Sequence, residues 1–323
     1  MLLKRGNASY DFDRWYKSYF RHLKHQEMAS NTIESYLRLL TNFGLFIAKN
    51  PQIVNITDIN KDFLLLFIEH LEEKSKVDKF ERKTKATYVA ILKAFFTYIE
   101  ENIDPDEKGI IYSFSNEFKG LVPKKANKRK KIKHLSDDEI CNTLAYVDQQ
   151  VDNRGNHYSY IHALAVKLMV YAGLRVSEML DLHLSDIVGS DLVNENGEKD
   201  FYEIHLRDPK SGEEQMVLVK KLNIEKEFSY FKLTVDENDY IFKGIGSNKN
   251  IDRSGLYRMI KGVFQKAGVN KKGLHILRHT FAVKLYRDTK DILVAKEMLR
   301  HASVDTTMIY VTVEKLDIAK ALR

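Results

Sequence analysis

The segment Leu274-His275-Ile276-Leu277-Arg278-His279-Thr280 carries the residues around which the rest of this chain is arranged. His275 and Arg278 are three residues apart, so on an α-helix both side chains project from the same face. His301 and Tyr310 follow downstream in that order. Apolar residues at helical spacing continue the predicted helix into a core: Phe281, Ala282, Leu285 and Tyr286.

A second arginine, Arg175, lies far upstream in Gly173-Leu174-Arg175-Val176-Ser177-Glu178. An apolar helix ends at Gly173, which puts Arg175 on the turn into the next helix. The planar guanidinium of arginine binds two phosphate oxygens and stays charged at any working pH. Two arginines, two histidines and a tyrosine are typical of a site where cations hold a phosphodiester and the tyrosine attacks it.

At these residues the chain resembles the tyrosine recombinase (phage integrase) family. In that family the active site combines an arginine in a G-L-R-x-S-E segment, an H-x-x-R pair, a later histidine or tryptophan, and a tyrosine. These positions stand here as Arg175, His275, Arg278, His301 and Tyr310. The resemblance covers roughly residues 135–323 and, more loosely, the region before them. In length and layout the chain is similar to Xer-like members.

The resemblance implies a role for each residue in cleaving and rejoining DNA. Arg175 and Arg278 are expected to bind the non-bridging phosphate oxygens, while His275 and His301 donate hydrogen bonds. His275 is also expected to help remove the proton of Tyr310, the nucleophile that becomes joined to the 3′-phosphate.

The family carries a catalytic lysine on a β-hairpin, where it protonates the departing 5′-hydroxyl. Lys210 falls at that position, in the tip Asp208-Pro209-Lys210-Ser211-Gly212 between two strand-like segments; Arg207 is the rival. Glu178 is expected to orient Arg175, although a carboxylate three residues on is also an ordinary surface partner.

Taken singly, each site residue has an ordinary structural explanation, because most arginines, histidines and tyrosines pair or pack. His275 and His279 have the i, i+4 spacing of helical metal sites, but the glutamate of an H-E-x-x-H site is absent. No G-x-x-x-x-G-K-[ST] loop occurs either. The sequence therefore predicts no metal and no other cofactor.

Two positions depart from the family. Leu299-Arg300-His301 stands where leucine-glycine-histidine is usual, so Arg300 replaces the glycine. We expect Arg300 either to add a phosphate contact or to crowd the pocket. Tyr310-Val311-Thr312 stands where tyrosine-threonine-histidine is common.

The composition bounds the class of protein. The chain has 323 residues, enough for two domains, and a single cysteine, Cys141, which excludes an intrachain disulfide. No apolar run of eighteen residues and no signal-peptide pattern occurs, so we expect a cytoplasmic, nucleoid-associated protein without membrane contact. Residues 1–134 hold 25 of the 52 Lys and Arg residues but only 17 of the 45 Asp and Glu residues. This basic excess is consistent with phosphate attraction, and equally with simple solubility.

The predicted fold class is mainly α. Residues 1–122 read as four amphipathic helices, similar to the SAM-like core-binding bundle of the family. Candidate phosphate contacts at two helix starts are Ser30, Thr32, Lys83 and Lys85, with the lysines taken to face outward. Ser30 to Thr32 is also the predicted N-cap of the second helix, and Thr57 or Asp58 that of the third.

A basic segment, 123–134, is the predicted linker between the two domains. Its DNA-contact candidates are Lys128, Arg129, Lys130 and Lys131, although the segment is at least a solvated linker. Residues 135–323 are the predicted catalytic domain, α-helical with a small antiparallel sheet, opened by a capping box of Ser136 and Glu139.

The resemblance implies a site-specific recombinase that binds double-stranded DNA and works as a homotetramer on two sites. The amphipathic segment after Tyr310 either packs on its own domain or exchanges between protomers. Chromosome dimer resolution and integration or excision of a mobile element both remain open, as does an activating partner protein. The alternatives are a type IB topoisomerase or telomere resolvase, and an inert DNA-binding regulator with the same fold.

Overall fold

The structure is a computed structural model that describes residues 8–76, 80–102, 117–122, 132–207, 214–244, 250–301 and 303–310. The chain divides into two compact units, Met1–Lys128 and Arg129–Arg323. The division falls inside the basic segment 123–134, while the finer domain boundaries stay a prediction.

The described part of the first unit is helical, as the apolar spacing predicts. Its helices are α1 (Ala8–His25), α2 (Ser30–Ala48), α3 (Lys61–Lys74) and α4 (Arg82–Asn102). Their apolar faces meet in one aromatic-rich core whose most buried side chains include Phe43, Phe67, Phe95 and Phe96. The rings of Phe43 and Phe67 meet edge to face with centroids 4.8 Å apart, a preferred aromatic geometry. These aromatic residues form the core rather than a base-stacking surface.

Two predicted helix caps are wrong. The N-cap of α2 is Ala29, which offers no side-chain bond, so Ser30 already lies inside the helix. Asp58 turns its carboxylate back to the backbone N–H groups of Val54 and Asn55, ending a short 3₁₀ turn. Asn60 caps α3 instead, accepting a hydrogen bond from the Phe63 N–H at 3.0 Å.

The first unit also corrects the prediction that Lys85 faces outward. The ammonium of Lys85 lies 2.9 Å from a carboxylate oxygen of Glu72, and both side chains are nearly buried. The same oxygen accepts the Phe80 N–H at 2.6 Å, so Lys85 joins α4 to the end of α3. Lys83 and Ser30 are exposed and Thr32 is half-buried, positions compatible with phosphate contact.

The second unit is built around α6, a helix with apolar residues on nearly all faces. Its elements begin with α5 (Asp137–Arg154), α6 (His157–Tyr171) and α7 (Val176–Leu180). After the sheet come α8 (Lys221–Thr234), α9 (Arg253–Lys266), α10 (His275–Thr289), α11 (Ile292–Leu299) and α12 (Val304–Met308). Helix α6 packs against α5, α8, α9 and α10, which explains its all-round hydrophobicity.

A three-stranded antiparallel sheet, in the order β1-β2-β3, lies between α7 and α8. Its strands are β1 (Ile187–Gly189), β2 (Phe201–Arg207) and β3 (Glu214–Lys220). The two strands predicted from the sequence pair as a hairpin, with Arg207 opposite Glu214. The hairpin tip, which includes Lys210, lies outside the described residues.

The remaining local predictions are mixed. The capping box is confirmed, because Ser136 accepts the Glu139 N–H and Glu139 accepts the Ser136 N–H. Helix α8 was not predicted, although Ile224, Phe228 and Phe231 give it a buried face at helical spacing. Across the described segments, no helix combines the length and apolar character needed to cross a membrane.

Candidate active site

The turn between α6 and α7 carries Arg175, and two residues before it this turn has a backbone conformation that requires glycine. Gly173 has φ +60°, in the left-handed region, and a Cβ built on it would lie 2.3 Å from the Phe281 ring. The turn therefore lies directly against α10, and Arg175 becomes the residue that precedes α7.

Arg278, on the first turn of α10, joins the segments that carry the other candidate residues. Its guanidinium is buried and donates to the Gly173 carbonyl at 2.5 Å and to the Leu299 carbonyl. These bonds connect α10 to the turn before α7 and to the end of α11. Arg278 is thus fixed in position by main-chain acceptors before any substrate binds.

Glu178 lies at the centre of the arginines. It accepts the Arg175 N–H at 2.6 Å, a second bond from the Arg175 guanidinium, and a bond from Arg300 at 2.6 Å. The Arg278 guanidinium is 3.7 Å away. Burial alone would raise the pKa of Glu178, but Arg300 and Arg175 hold that pKa below its usual range. Glu178 is therefore an ionised carboxylate shared by three arginines.

Arg300 occupies a strained position at the end of α11. Its φ of 52° and ψ of 49° are left-handed, a conformation usually left to glycine or asparagine. Its side chain is 5% exposed and donates to Glu178 and to the Met298 carbonyl, while Nε has no hydrogen-bond partner among the described residues. Its own carbonyl accepts from Arg175 at 2.7 Å. The two roles expected for Arg300 were phosphate contact and crowding of the pocket. The structure shows a third arrangement, an ion pair between Arg300 and Glu178.

The cluster carries excess positive charge. Three guanidinium groups, of Arg175, Arg278 and Arg300, surround the single carboxylate of Glu178. Burial, with the neighbouring charges of Arg175 and Arg300, lowers the pKa of Arg278 to about 9. Because like charges held together in a poorly solvated site repel each other, an anion bound there lowers the free energy of the cluster.

Tyr310 and His301 lie beside this cluster. Tyr310 is 3% exposed and belongs to a small apolar cluster with Phe281, Ala282 and Leu299. The rings of His301 and Tyr310 are nearly parallel, 16° apart, with centroids separated by 6.3 Å. His301 shares a hydrogen bond with Thr307 at 2.9 Å, and burial together with the arginines lowers its pKa to about 4. At neutral pH His301 is therefore uncharged.

The Tyr310 hydroxyl has a partner that the sequence did not single out. It is joined to Nδ1 of His279 by a 2.7 Å hydrogen bond. Burial raises the pKa of Tyr310, with Arg278 acting in the opposite direction. In the sequence, His279 stood out only through its place in the segment 274–280 and its i, i+4 spacing from His275, which was not interpreted as a metal site.

His275 lies at the start of α10, where its ring is exposed. Arg253, at the start of α9, donates to Nε2 of His275 at 3.2 Å. Burial, then Arg253 and Arg278, lowers the pKa of His275. Nothing in the local sequence around Arg253 indicated this contact.

The structure therefore brings Arg175, Glu178, Arg278, His301 and Tyr310 into one site within the second unit, with His275 at its edge. Lys210 and the linker candidates Lys128, Arg129, Lys130 and Lys131 fall outside the described residues. Among the residues described, no group of three or more His, Cys, Asp or Glu side chains is arranged to hold a metal ion.

Two family models match the chain. The phage integrase family model matches residues 133–316, and the phage integrase N-terminal SAM-like domain matches residues 16–102.

Individual relatives are tyrosine recombinases of the Xer type. XerD of Rickettsia bellii is 28% identical over 315 residues, which make up 93% of this chain and 94% of that protein. XerH of Campylobacter jejuni is 26% identical over 230 residues, 70% of this chain and 61% of that protein. The match to Helicobacter pylori XerH covers 64% of that protein, so the chain spans less than two thirds of both XerH proteins.

Solved structures share the fold. The pre-cleavage complex of XerH site-specific recombinase bound to difH substrate superimposes with a TM-score of 0.75 at 21% identity. That superposition covers 99% of this chain and 98% of the other. A lambda integrase dimer bound to a COC′ core site gives 0.62 at 15% identity, over 94% and 80% of the two chains. The mainly helical fold with a small antiparallel sheet, predicted from the sequence, is confirmed. The chain belongs to the phage integrase (tyrosine recombinase) family, and the relatives named above are its Xer-type members.

Proposed function

We propose that this protein is a site-specific recombinase that cleaves and rejoins duplex DNA through a 3′-phosphotyrosyl bond at Tyr310. The observation that carries the proposal is the meeting of Arg175, Arg278, His301 and Tyr310 around one positively charged site. These residues come from three parts of the chain: the turn before α7, helix α10 and the segment after α11. A protein that only binds DNA has no need of a buried tyrosine beside two fixed arginines.

In the proposed reaction, Tyr310 Oη attacks the phosphorus and the bond from phosphorus to O5′ breaks. Negative charge grows on the non-bridging oxygens. We assign Arg175 and Arg278 to bind these oxygens and stabilise that charge. Removing one such fixed donor typically costs about 10²–10³-fold in rate. The excess positive charge around Glu178 supports this assignment. Glu178 itself orients Arg175 through its side chain and its backbone N–H.

The departing O5′ needs a proton, which we assign to Lys210 on the β2–β3 hairpin, with Arg207 as the rival. His301 is proposed to donate a hydrogen bond to a phosphate oxygen from Nε2, because its Nδ1 is already bonded to Thr307. The chemistry requires no metal, since the fixed cations supply the charge stabilisation. It requires no ATP either, because the phosphotyrosyl bond keeps the free energy of the cleaved bond.

The proposed partner is double-stranded DNA. It is supported by the basic excess of residues 1–134 and by the solved structures that share the fold, which are complexes with difH and with a COC′ core site. Contacts are proposed at Ser30, Thr32 and Lys83, and along Lys128 to Lys131. Lys85 is a weaker candidate because Glu72 neutralises it.

Further proposals concern assembly and biological role. We propose a homotetramer on two sites, joined by exchange of the segment after Tyr310, in the cytoplasm at the nucleoid. Recombination between paired sites would serve either chromosome dimer resolution or movement of a mobile element, with or without an activating protein.

Covalent trapping on nicked suicide duplexes tests the reaction class. The duplexes carry the tightest-binding site selected from DNA that flanks the gene, and wild type is compared with Tyr310→Phe. We expect a denaturant-resistant protein–DNA adduct that is absent from the variant. An adduct that persists in Tyr310→Phe assigns the nucleophile elsewhere.

The rival functions give different results on the same site. Tight binding without any adduct supports an inert regulator. Adduct formation with plasmid relaxation or hairpin ends, but without exchange between two sites, supports a topoisomerase or telomere resolvase.

A further inference from the structure

We propose that His279 holds the Tyr310 hydroxyl and accepts its proton when Tyr310 attacks DNA. This assignment rests on the proposed function and replaces His275 as the residue that removes the proton. It makes His279 a catalytic residue, because it touches a reacting atom.

The geometry favours His279 over His275 at the tyrosine. Nδ1 of His279 is 2.7 Å from the Tyr310 hydroxyl, within the range for an O–H to nitrogen hydrogen bond. The His275 ring lies one turn earlier, with its centroid 6.4 Å from that of His279. Its Nε2 already accepts a bond from Arg253, an arginine that has no acceptor to offer in return.

His279 is held on a well-anchored part of α10. The next residue, Thr280, is buried, donates to the Ile276 carbonyl at 2.7 Å and accepts the Leu135 N–H at 2.8 Å. The preceding residue, Arg278, is bonded to Gly173 and Leu299. A base fixed on a rigid element keeps the short contact that proton transfer needs.

Burial, together with the surrounding charges, favours the neutral form of the His279 ring. His275 and Arg278 face it from its own helix, and His134 faces it from the segment before α5. His301 and Tyr310 approach it from the segment after α11. Burial, and then His275, Arg278 and His134, lower the pKa of His279 below its ordinary value of 6.5. A neutral ring with its hydrogen on Nε2 leaves Nδ1 free to accept the tyrosine proton.

The proposed step balances in both directions. As the bond from Tyr310 Oη to phosphorus forms, the Oη proton moves to Nδ1 of His279. The bond from phosphorus to O5′ breaks, and O5′ takes its proton from a separate acid, assigned above to Lys210. In rejoining, a 5′-hydroxyl attacks phosphorus and gives its proton back to the group that served as the acid, assigned above to Lys210. At the same time the bond from phosphorus to Tyr310 Oη breaks, and the His279 imidazolium returns its proton to that oxygen.

Single-turnover adduct formation on the suicide duplex, measured against pH, tests the step. In the wild type the rate should fall as pH drops through the lowered pKa of His279, since the protonated ring cannot accept. His279→Ala should slow adduct formation by about 10²-fold or more, with unchanged DNA affinity, and added imidazole should restore part of the rate.

His279→Asn serves as the matched variant, because its amide oxygen can still accept a bond from Tyr310 without taking the proton. It should remain slow and lose the acidic fall in rate. His275→Asn should keep that fall. Wild-type rates in both His279 variants, or loss of the fall in His275→Asn alone, would overturn the inference.

The hydrogen bond itself is measured without DNA. With ¹⁵N-labelled histidine, Tyr310→Phe should shift the Nδ1 resonance that is missing from His279→Asn. An unshifted resonance overturns the inference even if the protein recombines DNA. Conversely, a shifted resonance with no adduct in the wild type on a tightly bound site refutes the proposed function and leaves the contact between His279 and Tyr310 standing.

Discussion

The guanidinium of Arg300 donates a 2.6 Å hydrogen bond to the carboxylate of Glu178 from a residue whose backbone is left-handed. The ion pair holds a conformation that a side chain with a Cβ adopts only at a cost of about 1–2 kcal/mol. At the same time, the Arg300 carbonyl accepts from Arg175. The backbone and the side chain of one residue thus both fix the position of Arg175.

Two replacements of Arg300 distinguish the cost of its left-handed backbone from the contribution of its ion pair with Glu178. Arg300→Ala and Arg300→Gly both remove the guanidinium, but only alanine keeps the left-handed strain. We expect both to be less stable than the wild type, with glycine about 1 kcal/mol more stable than alanine. Urea unfolding at neutral pH measures the difference. Equal stability of the two variants would mean that the strain is absent.

An oxyanion should stabilise the folded protein by binding at the arginine cluster. At a vanadate concentration of 100 times its Kd, the gain in unfolding free energy is about 2.7 kcal/mol. The measurement is the thermal midpoint with vanadate against equal ionic strength of chloride. Arg175→Met should abolish the gain, whereas Arg154→Met, at the far end of α5, should retain it. A gain unaffected by Arg175→Met would place the anion elsewhere.

Stability should fall between about pH 6.5 and pH 4 because of His301. Its pKa is about 4 in the folded protein, against an ordinary 6.5 in the unfolded chain. The unfolded chain therefore binds more protons than the folded protein in that window. The fraction of unfolded molecules consequently rises as pH falls. The stabilisation is complete above pH 6.5 and is on the order of 1–3 kcal/mol.

The matched variants for this effect are His301→Gln and His205→Gln. Unfolding free energies measured across the window should show a shallower slope in His301→Gln. His205 lies on β2 with its side chain 43% exposed, and His205→Gln is the comparison against which the slope of His301→Gln is measured. A wild-type slope in His301→Gln would show that this histidine titrates as it does in the unfolded chain.

Gly173→Ala should destabilise the second unit by about 2–4 kcal/mol, because it adds a left-handed alanine and a clash with the Phe281 ring. Chemical denaturation provides the measurement. In the Phe281→Leu background the alanine should cost less, since the smaller side chain removes the clash but not the backbone strain. Equal costs in the two backgrounds would exclude the ring as the cause.

Sequence patterns predicted the parts of the structure that depend on near neighbours. Apolar spacing located the four helices of the first unit, and the Ser136 and Glu139 capping box and the β2–β3 hairpin followed from local rules. Helix α3 shows the limit, because Asp58 and Asn60 are both good caps. Only the turn geometry, in which Asp58 bonds backward, decides between them.

The site was predictable as a set of residues but not as a set of contacts. The order of arginines, histidines and tyrosine indicated the family, yet the partner of each depended on folding. Tyr310 meets His279 across 31 residues and Arg300 meets Glu178 across 122. The prediction that Lys85 faces outward was wrong for the same reason, since its partner Glu72 lies on another helix. No spacing rule reaches such pairs.

Arg278 bonds to carbonyl groups 105 and 21 residues away in the chain, so it acts as a cross-link of the native fold as well as a phosphate ligand in the proposed reaction. Genetic screens for loss of recombination would therefore recover substitutions of Arg278 either because the fold is destabilised or because a phosphate ligand is lost. In the first case the mutant protein would be present at low abundance. Arg175 also donates to a distant carbonyl, that of Arg300, but its side chain is 38% exposed, so its replacement should disturb the fold less. Inactive but well-folded mutants for trapping DNA complexes are better sought there than at Arg278.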